Sequence, residues 1–175
     1  MRNIAPPSKY ELNVTALAKI LLVDDERGMV AALTQRLTTR NYSVSFAHSG
    51  KDALAQLEDD KDIEVVILDV KMPGLDGIES LKLIRKKWPI VEVIMLTGHS
   101  TLDSAIDAIK LGAYDYLLKP IEMEQLVSKI EKAACRKRQR GKLILEVHMT
   151  PYLSPREQKA QIAKILDPET KTSDV

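Results

Sequence analysis

Asp24, Asp25 and Glu26 follow directly on the apolar run Ile20 to Val23, and Asp69 ends a second apolar run that begins at Ile63. Like charges crowded at the end of a buried strand repel one another and lose hydration, so a counter-charge must offset them. Hard oxygen ligands with positions left over for water suit Mg2+, which takes one or two protein carboxylates. Thr97 closes a third apolar run, and Lys119, followed by Pro120, closes a fourth. A carboxylate can attack phosphorus to form an acyl phosphate, splitting one transfer into two steps. In such a reaction Mg2+ offsets charge on the phosphoryl oxygens, while an ammonium and a hydroxyl, here Lys119 and Thr97, hold those oxygens in place.

These groups cooperate only if the fold gathers the strand ends. KILLV (19–23), YSVSFA (42–47), IEVVIL (63–68), VEVIML (91–96) and YDYLL (114–118) have strand length and composition. Between them, Met29, Leu33 and Leu37, Ala53 and Leu57, Leu81, Ile84 and Trp88, and Leu102, Ile106 and Ile109 recur at helical spacing. Ser49 and the pair Asp76 and Glu79 read as helix starts, Pro89 and Gly112 as stops, and a fifth helix is predicted from about Glu122 to Gln139. Alternating strands and helices with apolar central strands predict an α/β fold, a flavodoxin-like, doubly wound, five-stranded parallel sheet with five helices. With strand order 2-1-3-4-5, the first and third strands lie about 4.8 Å apart, so Asp24, Asp25 and Asp69 converge. Lys119 then starts about 10 Å from Asp69 and its stem can reach back.

VDDE (23–26), LDVKMPGLDG (68–77), MLTGH (95–99) and YDYLLKP (114–120) together resemble the receiver domain of two-component response regulators, over residues 18–137. Residues 1–17 and 138–175 are then extensions, the latter short and without a recognised effector domain. The resemblance implies that Asp69 accepts a phosphoryl group from a sensor histidine kinase or phosphotransfer protein. It implies that Asp25 and Asp69 bind Mg2+ with the backbone carbonyl of Lys71, Asp24 helping largely through water. It also implies a cis Lys119-Pro120 bond, a switch in which Thr97 moves and Tyr116 turns inward, and rate tuning by Lys71 and His99. Output is a changed protein-binding face from about Ser100 to Tyr116, offered to a downstream protein target. The chain is then no enzyme toward external substrates and catalyses only its own phosphorylation and dephosphorylation.

Each residue also has a plainer role. Asp24 or Asp25 alone would be a helix cap, Thr97 a strand-end hydroxyl, Lys119 a solvated lysine, and Tyr116 core packing. Their joint placement at successive strand ends favours the site. The three histidines share no ligand spacing with one another or with the lone Cys135, which argues against zinc. No apolar run spans a bilayer, so membrane insertion is not expected, and a single cysteine suits a reducing cytoplasm.

Acidic residues outnumber basic ones from Lys19 to Cys135, and the reverse holds beyond. A DNA-binding regulator using this basic tail is therefore one alternative, although such charge more often forms a solvated face and nucleic acid is not the expected partner. Ser154 to Glu157 is predicted to open a short helix with Ile162, Ile165 and Leu166 on one side, stopped at Asp167-Pro168. LSPRE (153–157) is similar to the opening of one helix-turn-helix family, yet no recognition-helix segment follows. An aspartate-nucleophile phosphohydrolase is the other alternative. It is disfavoured because such enzymes resemble one another in an acid two positions past the nucleophile, where this chain has Lys71. Self-association as a homodimer is left open.

Overall fold

The computed structural model describes residues 16–98 and 102–167, without the side chains of residues 102–104. Strands β1 (Lys19–Val23), β2 (Ser43–Ala47), β3 (Val65–Asp69), β4 (Glu92–Thr97) and β5 (Asp115–Leu118) alternate with helices α1 (Arg27–Thr38), α2 (Gly50–Asp59), α3 (Gly77–Lys87), α4 (Leu102–Lys110), α5 (Met123–Met149) and α6 (Pro155–Leu166). The sheet is parallel throughout, in the order β2-β1-β3-β4-β5. Winding reverses on either side of β1 and β3, so the carboxyl ends of these two strands open onto a crevice.

Both faces of the sheet are covered. Ile20, Leu22, Ile67, Ile94 and Leu96 pack under α1 and α5 with Leu33, Leu37, Leu126 and Ile130. Leu21, Val23, Val66, Leu68 and Met95 pack on the other side with Leu57, Leu81 and Ile84 of α2 and α3. Strand residues alternate between these layers, which is why the central strands are apolar at every interior position. Local signals set the helix starts. Ser49 accepts from the Asp52 amide, Asp76 from the Glu79 amide, and Ser154 and Glu157 form a reciprocal capping box.

The fifth helix differs from its predicted extent. It continues ten residues past Gln139 and carries Gly141 within it. A glycine in a helix interior costs about 1 kcal/mol against alanine, so propensity alone would end the helix there. Tertiary contacts outweigh that cost. Arg136 and Arg140 of α5 both pair with Glu92, which is fully buried at the start of β4. The Arg140 guanidinium also donates to the Asp167 carbonyl at the end of α6, so the last helix folds back along α5. The extension beyond residue 137 is thus helical: α5 runs on into it, and α6 is the short helix expected between Ser154 and Asp167. The stripe on α4 differs too, because Ile106 and Ile109 are exposed and Ala108 makes the buried contact. Among the described residues no helix is long and apolar enough to cross a membrane.

Candidate functional site

The end of β1 and the end of β3 bring three carboxylates together. Ligand oxygens of Asp24, Asp25 and Asp69 lie within 4.8 Å of one another, with Asp24 and Asp69 buried and Asp25 exposed. Lys119 reaches in from beyond β5. Its Nζ is 2.6 Å from Asp24 Oδ2 and 2.9 Å from Asp69 Oδ1. The Lys119-Pro120 peptide is cis, which carries the chain away immediately after the lysine.

Every oxygen of the buried pair is engaged. Asp24 Oδ1 accepts from the Glu26 amide at 2.8 Å, and Asp69 Oδ2 accepts from the Lys71 amide at 2.9 Å. Both are turns closed by an acid on the amide two residues ahead, a local pairing to which aspartate is suited. Asp24 is therefore bonded directly to Lys119 and to the chain. Burial pushes the Asp69 carboxyl above its ordinary value, and Asp24 adds to the shift, so Lys119 compensates only in part. Burial alone would lower the Lys119 pKa, but its hydrogen bonds to Asp24 and Asp69 outweigh that and hold it above its ordinary value. One ammonium, paired with two of three clustered carboxylates, leaves a net negative pocket, and the donor set is all oxygen, which fits Mg2+.

Thr97 is buried at the carboxyl end of β4, in register with Leu118 just before Lys119, and its carbonyl accepts from the Lys119 amide at 2.8 Å. Tyr116 packs inward against the layer that contains Leu68 and Met95, and its buried hydroxyl has no hydrogen-bond partner among the described residues. His99 and Ser100 lie outside the described residues. Lys71 is exposed beside Asp69.

Two further residues, which the sequence does not assign to the site, contribute to it. Gly77 opens α3 directly behind the site, and a Cβ there would come within 2.1 Å of the Asp69 carbonyl oxygen. Its amide donates to the Val70 carbonyl at 3.0 Å, so bare backbone locks the loop after β3. The signal was the Asp76-Gly77 pair, legible as a turn but not as a close approach. His48, one residue past β2, has Nδ1 3.1 Å from the Asp24 carbonyl oxygen. Its only signal was position, at the end of the strand beside β1.

Residues 20–131 match the family model described as the response regulator receiver domain. The chain is 38% identical over 122 residues to the transcriptional regulatory protein ZraR of Salmonella typhimurium, covering 70% of this chain and 27% of that protein. It is 37% identical over 112 residues to the DNA-binding transcriptional regulator NtrC of Klebsiella pneumoniae, covering 64% and 24%. The chain thus spans about a quarter of the length of these curated relatives. Among solved structures it is similar to a response regulator receiver domain protein from Clostridium thermocellum, with TM-score 0.67, 40% identity, and 70% of this chain and 98% of that chain covered. NtrX from Brucella abortus, solved in complex with ADP, aligns with TM-score 0.68 and 28% identity over 83% of this chain and 33% of that chain.

Proposed function

This chain belongs to the response regulator receiver domain family, whose members are signalling modules switched by phosphorylation, and from that membership we propose that Asp69 is the residue phosphorylated. One observation carries the assignment. Asp69 is the carboxylate at the switch point that Lys119, the Lys71 amide and two further acids all meet. The donor is a phosphohistidine of a sensor histidine kinase or phosphotransfer protein. An Asp69 oxygen forms the new bond to phosphorus while the phosphorus to histidine nitrogen bond breaks, and the donor leaves as imidazole.

Asp24, Asp25, Asp69 and the backbone carbonyl of Lys71 are the groups that would hold Mg2+. When bound, the ion offsets charge that builds on the phosphoryl oxygens. Lys119 already stands at Asp69 and remains as counter-charge to the incoming group, with the Thr97 hydroxyl as a second contact. Phosphorylation then biases Thr97 and Tyr116 toward a second arrangement and alters the face formed by α4 and β5. Tyr116 is suited to this because its buried hydroxyl gains by finding a partner. In this reading the chain acts in the cytoplasm through a protein target and catalyses only its own phosphorylation and dephosphorylation. A DNA-binding role for the basic tail has less support, because Arg136, Arg138 and Arg140 are paired with Glu92 and Glu64 of the body.

Labelled acetyl phosphate with Mg2+ tests the assignment. Label stable to acid and labile to base is expected in the parent chain and absent from Asp69→Asn. Incorporation into that variant at the parent level would refute it.

A further inference from the structure

We propose that His48 is a positioning residue for the cation site, holding the peptide between Asp24 and Asp25 so that the Asp25 carboxylate faces Asp69. The inference rests on the Mg2+ reading above and goes beyond it to a residue that touches neither ion nor phosphate.

β2 is the edge strand beside β1, and the ladder between them runs from Lys19 opposite Ser43 to Val23 opposite Ala47. Past that point the Asp24 amide still donates to the Ala47 carbonyl at 3.2 Å. The Asp24 carbonyl then meets no backbone amide of β2; its partner is His48 Nδ1 at 3.1 Å. A carbonyl oxygen can only accept, so this contact requires the proton on Nδ1. The imidazole thus supplies the rung that the backbone leaves out, at the place where two acids must be presented to the crevice.

The ring is itself held. It lies against Phe46, two residues earlier, with centroids 5.4 Å apart, and Ser49 next in sequence caps α2. Both peptide groups of Asp24 are therefore fixed to the β2 side, the amide by Ala47 and the carbonyl by His48. The Asp24 side chain is fixed separately by Lys119 and the Glu26 amide. Asp25, exposed, takes its direction from that peptide. Groups that orient metal ligands without touching the metal are typically worth 10–100-fold in affinity.

The test is Mn2+ binding, followed by the electron paramagnetic resonance of the free ion, in the parent chain, His48→Phe, His48→Asn and Asp25→Asn. Phenylalanine keeps a ring against Phe46 and removes the donor. Asparagine places an amide nitrogen where Nδ1 stood. We expect roughly tenfold weaker binding for His48→Phe, affinity restored to within about threefold of the parent for His48→Asn, and a larger loss for Asp25→Asn. Parent-like affinity in His48→Phe, or failure of asparagine to restore it, overturns the role of His48 and leaves the cation site standing. Absence of Mn2+ binding in the parent chain overturns both.

Discussion

Asp69 is an acid held where ionisation is costly, and the cost has a sign that can be measured. Its carboxyl sits above the usual range because burial outweighs the help of Lys119. The unfolded chain gives up the same proton near pH ~4. As pH rises from that value through the raised folded one, the unfolded state is favoured and stability falls. Asp69→Asn should therefore melt higher than the parent at pH 7 without divalent ions, by about 2 °C or more, with the gap closing below pH ~4. Differential scanning calorimetry across that range checks this, and an equal or lower melting temperature at pH 7 would contradict it. Gly77 makes a second demand, because a methyl group there would overlap the Asp69 carbonyl. Gly77→Ala should cost about 1–3 kcal/mol in urea unfolding, whereas Gly28→Ala, with open space around it, should cost nothing measurable. The acids, Thr97 and Lys119 were legible because each ends an apolar run. Gly77 and His48 were not, since close approach and a replaced ladder rung are relations between elements that no spacing along the chain encodes.

At the scale of elements, strands and caps could be read because period-two and period-3.6 patterns, with Ser49, Asp76 and Ser154 at helix starts, agree with the tertiary answer. The reach of α5 could not. Its continuation through Gly141 is written in Glu92, a buried acid 44 positions before Arg136, and in Arg140, 4% exposed. Arg136 reaches Glu92 through two nitrogens, at 2.8 and 2.6 Å, and also stacks 4.5 Å from the centre of the Tyr114 ring. Removing one member of a buried ion group strands the others, at about 3–5 kcal/mol. Glu92→Gln should lose that much in urea unfolding, and a loss below 1 kcal/mol would show the group is not what fastens α5. Helix α6 contributes less, as it has no fully buried residue. Ending the chain after Thr150 should cost only roughly 1–2 kcal/mol, from partial apolar burial and the lost bond to Arg140.

For the molecule as a whole, part of the uneven charge seen along the sequence is neutralised in space, where three arginines of the basic segment meet acids of the body. Arg138 is paired with Glu64 and donates to the Leu17 carbonyl, Lys19 is paired with Asp60, and the α5 arginines close on the start of the sheet. Composition could not reveal this, because pairing depends on which strands begin beside that helix. Non-specific binding to duplex DNA should accordingly be weak, with Kd above ~100 µM at physiological salt, and a steep salt-dependent filter-binding curve below that value would contradict it. The proposed cation site lies at the opposite end of the strands. Mg2+ at about a hundred times its Kd should stabilise the chain by about 2.7 kcal/mol, and Asp25→Asn should abolish most of that gain.

The Glu92 cluster also bears on where this fold can be cut. A chain stopped at residue 135 would retain every strand and nearly all of the apolar interior, yet would leave Glu92 with the neighbouring charge of Arg85 but without its direct partners Arg136 and Arg140. Charge balance around Glu92, more than the last apolar contact, is therefore what such a cut disturbs.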